Sequence, residues 1–433
     1  MRICLCLTMC FILSSVHAQP LTKEGPSSKD LFDAIHVVVG PSARSLDPIA
    51  IAVPRCAVSK DVCATIDETL TKDLTISGYF KVLDRQSFIA NPELETLTYT
   101  NFADWANIGA RYVVKFEVLK GSHGNDIEFR LLSVPDQKVI SCKNQSHKGV
   151  PNASVRKVTH DFVNSLIEVI TGKAGIFGSR IVLSVKTGQM ERSIAVLDMD
   201  GSNFSIVVKN GSSNMFPKWA PGGKILYTSM LPGYPTLYLG DVRITNDTRE
   251  YRGAVFTPDG KRICASVNLD GQSDLVLLDP KTGEIIKNIT NTPYDEVSPS
   301  FSKDGSMIAY VSNKTGHPQV YVIKSDGTGE RRLTMAGAYN TSPRFGPDGR
   351  VLFVGMDDFV TDIFSIDLAG NMTRLTQDQG NNRDPAWSPD GRYIVFLSDR
   401  TGRWKVWIMT EDGRYQFPIT EKAMEFATPD WGF

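Results

Sequence analysis

Trp387-Ser-Pro-Asp-Gly391 decides the fold, because the phrase recurs. Its variants are Trp219-Ala-Pro-Gly-Gly223, Phe256-Thr-Pro-Asp-Gly260, Phe301-Ser-Lys-Asp-Gly305 and Phe345-Gly-Pro-Asp-Gly349. The aromatic anchors lie 37, 45, 44 and 42 residues apart, and Trp431 follows 44 residues after the last. A period near 40 marks an array whose units cannot bury a core alone. Pro presets φ for the second turn position, Gly supplies positive φ, and Asp bonds back to the local backbone. Each Asp in these turns is therefore read as structural, and each aromatic as packing between units.

Working outward, every turn is followed by an alternating run: Lys224–Thr228, Arg262–Val267, Met307–Val311, Val351–Val354 and Tyr393–Leu397. Such runs, rich in β-branched and aromatic residues, read as strands. A Ser…Gly loop, a second run (Gln319–Ile323, Lys405–Met409) and an Asp-Gly turn come next. A last short strand ends in Leu-Thr or Ile-Thr, at Thr290, Thr334, Thr376 and Thr420. Four antiparallel strands per repeat predict a propeller blade rather than a solenoid coil. Segments 179–185, 193–198 and 204–209 look like a blade lacking its first strand, and Pro429-Asp-Trp431 supplies that strand. The prediction is a six-bladed β-propeller over 176–433, closed by strands from both ends of the domain, which leaves no open edge.

The N-terminal part has another pattern. Arg2, the apolar run Ile3–Leu13 and Val16-His-Ala18 predict a signal peptide over 1–18, cleaved after Ala18. That run is too short to cross a bilayer, and no other window is long enough. A flexible tail over 19–29 precedes a mixed α/β domain over 30–173. Its expected strands are Ile35–Val39, Ile49–Val53, Lys81–Leu83, Tyr112–Leu119, Ile127–Ser133 and Val139–Lys143. Its expected helices are Asp61–Ser77, Phe102–Ile108 and Val155–Ile170, with Gly78 and Gly172 as stops. The hinge to the propeller, Gly172–Gly178, contains three glycines. Of seven Cys, three fall within 1–18. Cys56 and Cys63 are close enough to pair in an oxidising compartment, or they are two free thiols; sequence does not decide connectivity. Cys142 and Cys264 are read as unpaired.

Lys and Arg total 47 against 48 acidic residues, so a nucleic-acid partner is disfavoured. No Gly-x-Ser-x-Gly elbow, phosphate-cradling loop or His-Glu-x-x-His occurs. The five His outside the signal segment are scattered. No catalytic residue, cofactor or metal is expected. The alternative is an exported β-propeller hydrolase or lyase with an axial carboxylate such as Asp384.

The combination resembles the TolB family. It is carried by Pro48-Ile-Ala-Ile-Ala-Val-Pro54, Leu83-Asp-Arg85, Thr171-Gly172 with Arg180-Ile181, the repeats and the terminal strand, and it spans 30–433. The resemblance implies a periplasmic, non-enzymatic adaptor of the Tol-Pal envelope system, supporting outer-membrane integrity and division. It implies that one propeller mouth receives the lipoprotein Pal and that an N-terminal strand is offered to the C-terminal domain of TolA. Other outer-membrane lipoproteins are possible partners. A monomer without direct membrane insertion is expected.

Residues preceding each anchor begin the strand nearest the axis, so they should ring one mouth. They are Met215 and Phe216, Arg252 to Ala254, Val297 and Ser298, Thr341 and Ser342, Arg383 and Asp384, and Ala427 and Thr428. The expected Pal-binding set is Tyr251, Arg252, Gly253, Ala254, Val297, Ser298, Thr341, Ser342, Arg383 and Asp384. Gly253-Ala254 keeps the family pattern. Tyr251 stands where a His is common, and Ser298 where a Glu is common. The expected TolA-binding stretch lies within Ala34–Ala43: Ala34, Ile35, His36, Val37, Val38, Val39 and Gly40, a β-prone run suited to strand addition. In relatives this stretch begins near the mature terminus, whereas here Gln19–Asp33 precedes it. The other reading is a permanent strand of the N-terminal domain.

Overall fold

The computed structural model describes residues 45–421 and 424–432. The expected signal peptide, tail and TolA-binding stretch lie outside the described residues.

Alternating burial builds the N-terminal sheet. Strands β1 (Asp47–Ile51), β2 (Arg55–Cys56), β3 (Phe80–Val82), β4 (Tyr112–Lys120), β5 (Asn125–Ser133), β6 (Lys138–Ile140) and β7 (Ser146–Val150) form one sheet of order β3-β1-β4-β5-β6, with β2 beside β4 and β7 beside β5. β1 pairs in parallel with β3 and β4; β4, β5 and β6 pair antiparallel. Along β4, Val114, Phe116 and Val118 face helices α1 (Lys60–Ile76) and α3 (Val155–Thr171), while Val113 faces Trp105 of α2 (Phe102–Asn107). The period-2 strand thus feeds two cores at once. Gly172 closes α3 in the left-handed conformation, where Gly carries no Cβ penalty. Cys56 and Cys63 are disulfide-bonded, joining β2 to the first turn of α1. Cys142 and Cys264 are free and buried.

The rest is six four-stranded antiparallel sheets. Their innermost strands are Asn214–Ala220, Tyr251–Phe256, Glu296–Phe301, Tyr339–Phe345, Asn382–Trp387 and Phe426–Gly432 in blades 1 to 6. Each touches its neighbour around the ring, the last touching the first. Blade 6 takes three strands from 180–208 and its innermost strand from the C-terminus, with Trp431 opposite Ile181. The Thr at each repeat end has a mechanical role. Thr245, Thr290, Thr334, Thr376 and Thr420 accept the backbone N–H of Leu237, Leu275, Val320, Ile363 and Val406 at 2.9–3.1 Å. Three of them also donate, to Asp274, Gln319 and Asp362, at 2.6–2.9 Å. Buried polar groups are thereby satisfied where the outer strand ends.

The N-terminal domain rests on blades 5 and 6. The Tyr393 hydroxyl donates to the Ser77 carbonyl at 3.0 Å, and the Arg392 guanidinium to that of Ala174. Asn164 on α3 holds the hinge by bonding Phe177 in both directions, at 2.8 and 2.9 Å. All the propeller groups involved sit at or beside the turns that follow the first and third strands of a blade. Antiparallel order puts those turns on one face of the disc, so the described residues of the domain leave the opposite face uncovered.

Candidate protein-docking face

The uncovered face is built from three elements of each blade. These are the hairpin between second and third strands, the connection from the preceding blade, and the first residues of the innermost strand. A defect repeats there in every blade. Three residues before the aromatic anchor the chain turns left-handed: Phe216, Gly253, Ser298, Ser342, Asp384 and Thr428 have φ between 47° and 74°. The ladder to the second strand slips at the same place in all six innermost strands. These are β-bulges, which bend a strand and re-aim its side chains. Only one of the six residues is Gly, and the left-handed region costs other residues roughly 1 kcal/mol or more. Such strain concentrates at functional rims, where surrounding structure over-determines it.

The bulges place most of the expected contact residues on this mouth. Arg252 is exposed; Gly253, Val297, Ser298, Thr341, Ser342, Arg383 and Asp384 are half-buried around it. Two expectations are corrected. Tyr251 is fully buried, its ring in the core between blades 1 and 2 and its hydroxyl donating to Asp247 at 2.9 Å. Ala254 is buried in the same core. Both alternate inward from the exposed Arg252, as the bulged strand demands. Arg383 is held in place by the indole of Trp404, 3.9 Å from its guanidinium carbon.

Below the rim, charges converge on the axis. Lys218 donates to Asp430 at 2.6 Å, and Asp430 also accepts the Trp219 backbone N–H at 2.9 Å. Burial pulls the Lys218 ammonium down to about 8, assisted by the Arg344 charge and opposed by Asp430. Burial likewise lowers Arg344, against Asp430 and Asp384. Asp384 accepts the Thr428 N–H at 3.1 Å. Two cations face two carboxylates, and both carboxylates are engaged.

Sequence reasoning missed the apolar residues standing on the same face. Met190, Leu231 and Phe359 tip the second-to-third-strand hairpins of blades 6, 1 and 4, and are 78%, 50% and 91% exposed. Tyr294 and Met335, on connections entering blades 3 and 4, are 42% and 71% exposed. Phe359 is the most informative. With Asp358 it forms a two-residue hairpin turn, both at positive φ (42° and 66°), between paired Asp357 and Val360. Blade 2 builds the corresponding turn from Asp270-Gly271, the residues such a turn prefers. A large aromatic held in a glycine position and out in water serves no packing purpose. The available signal was an apolar residue inside an Asp-rich turn, Asp357-Asp-Phe-Val360.

The TolB beta propeller domain family matches residues 167–433, and the TolB amino-terminal domain family matches 36–140. A Tol-Pal system protein TolB from Anaeromyxobacter sp. (strain K) is 35% identical over 92% of this chain and 93% of its own length. One from Bordetella pertussis is 27% identical over 89% of this chain and 88% of its own. A crystal structure of TolB from Acinetobacter baumannii superposes with a TM-score of 0.74 at 22% identity, covering 89% of this chain and 96% of that one. With both domains matched in order and most of the length aligned, the chain belongs to the TolB family.

Proposed function

We propose that this protein is a periplasmic adaptor of the Tol-Pal system that docks Pal on the propeller mouth and offers residues 34–43 to the C-terminal domain of TolA. It thereby supports outer-membrane integrity and invagination at division. Membership of the TolB family supports the system, and relatives carry the Tol-Pal name. Among the described residues no helix is long and apolar enough to cross a membrane.

The carrying observation is the uncovered mouth. Its rim combines exposed apolar anchors, Phe359 and Met335, with the stacked Arg383 and half-buried polar residues. Aromatic and Arg anchors within a polar surround are the composition of a protein-binding hot spot. The described part of the N-terminal domain sits on the other face and leaves the mouth free for a partner. Calorimetric titration with soluble Pal tests the reading. Binding weakened at least tenfold by Phe359→Ala with Arg383→Ala is expected; unchanged binding refutes the mouth as the docking face.

A further inference from the structure

Between the domains lies a buried charged cluster that the docking reading does not use. Asp73 stands on α1, Arg156 and His160 one turn apart on α3, and Asp200 in the turn after the blade 6 strand Arg192–Asp198. His160 Nδ1 is 2.7 Å from Asp73 Oδ2. The Arg156 guanidinium bonds Asp200 Oδ2 across the interface and Thr69 Oγ1 at 3.0 Å within the N-terminal domain. Phe177, in the hinge, stacks on the imidazole with planes 9° apart. The side chains of Asp73 and Asp200 are 0% exposed and that of His160 is 5% exposed.

Charge counting makes the cluster unusual. Two carboxylates face one guanidinium, so one negative charge is uncompensated in a buried interface unless the imidazole is protonated. An unpaired buried charge is too costly to leave standing. A proton shared by His160 and Asp73 cancels it. A divalent cation is the other remedy, since ligand atoms of Asp73, His160 and Asp200 lie within 4.8 Å of one another. It fits poorly, because Arg156 already occupies Asp200 Oδ2 and would have to be evicted.

We propose that this cluster is a proton-operated latch: the domains hold together while the His160–Asp73 pair carries its proton and loosen when that proton is lost. Burial pushes the Asp73 carboxyl up to about 6, against the hydrogen bond and charge of His160. Burial alone would lower His160, but the Asp73 hydrogen bond and charge, with the Asp200 charge, outweigh it and raise the imidazole, Arg156 opposing. From blade 5, Tyr393 also faces the group, its hydroxyl held protonated by burial. Asp200 is the propeller's contribution to the cluster, and its charge raises both groups, so closing the interface tightens the pair's hold on its proton. Closure is therefore strongest in mild acid. It weakens as the shared proton leaves, at a pH above the ordinary imidazole value of 6.5 because the His160 titration is raised. Asp73 Oδ1 and His160 Nε2 have no hydrogen-bond partner among the described residues.

The test uses the mature full chain. Small-angle scattering between about pH 5.5 and about pH 8.5 should show the radius of gyration growing with pH, across the range where histidine titrates. Asp73→Asn combined with His160→Gln should abolish that dependence. Should this pair fail to fold, Asp200→Asn leaves the pair intact. Histidine-selective NMR should then show the His160 titration raised in the native chain and lowered toward 6.5 in the variant. Dimensions constant across the range, or a native His160 titrating at 6.5 or below, would overturn the latch. So would zinc ions that bind stoichiometrically and restore compactness at high pH, since the site would then be a metal site. Pal binding is read separately, so its failure would leave this result standing.

Discussion

The indole N–H of Trp431 donates to the hydroxyl of Ser179 at 2.9 Å, tying together positions 252 residues apart. This bond and the ladder from Trp431 opposite Ile181 close the ring, and Trp431 is 6% exposed. Trp431→Ala should cost about 3–5 kcal/mol, the range for truncating a buried large aromatic. Urea denaturation followed by circular dichroism checks it. A loss under 1 kcal/mol would mean that the ring is closed by other contacts.

Asp362 is the hub of blade 4. It accepts from Thr376 at 2.6 Å, from Asn382 at 3.1 Å and from Arg374. Asp362→Ala strands a guanidinium, an amide and a hydroxyl inside the protein. A destabilisation of about 3 kcal/mol or more is expected. Thr376→Val, which removes only the hydroxyl, should cost about 1–2 kcal/mol.

Phe359 separates stability from binding. Phe359→Gly restores the residue that its turn prefers and should raise stability by about 1 kcal/mol. The same change should weaken Pal binding about tenfold, equivalent to about 1.4 kcal/mol. Opposite movement in the two measurements marks a residue kept for docking. Weaker binding with lower stability would mean a structural part.

Glu296 introduces a pH dependence. Burial pushes its carboxyl up to about 7, opposed by bonds from Ser312 and Thr292 and reinforced by Asp274. The folded state therefore binds the proton more tightly than the unfolded chain. This stabilisation is complete below the ordinary value of 4.5 and is lost as pH rises through about 7. Glu296→Gln mimics the protonated form. Its melting temperature should exceed that of the native chain at about pH 8, with the gap closing in acid.

Removal of residues 30–43 should abolish capture by immobilised TolA C-terminal domain while Pal affinity stays within twofold of native, about 0.4 kcal/mol. Retained TolA capture would place that contact elsewhere.

Local signals made much of the fold legible. Five Pro-Asp-Gly variants and a stray Trp near the C-terminus sufficed for blade number and closure, because turn chemistry and period act over a few residues at a time. The helices were readable for the same reason, since Val62, Ile66, Leu70 and Leu74 mark one face of α1. Strand β7 was missed: Ser-His-Lys-Gly-Val carries no alternation and is a strand only because β5 offers it a ladder. Val139–Lys143 shortened to Lys138–Ile140 where pairing with β5 ends.

The docking face divides in the same way. Which residues begin each innermost strand follows from counting back from an aromatic anchor, so the ring of Arg252, Ser298, Ser342 and Asp384 could be written down unaided. That Ala254 is buried only two residues after the exposed Arg252 depends on a bulge, which slips the register by one residue and reverses the side chains. Neither the stacking of Arg383 on Trp404 nor the meeting of Asp73, Arg156, His160 and Asp200 leaves any trace in spacing along the chain. Turns and periods are written locally, because each is satisfied by neighbouring backbone. Contacts between distant segments exist only after the ring closes and the two domains pack, so tertiary structure alone decided which charges share a buried interface.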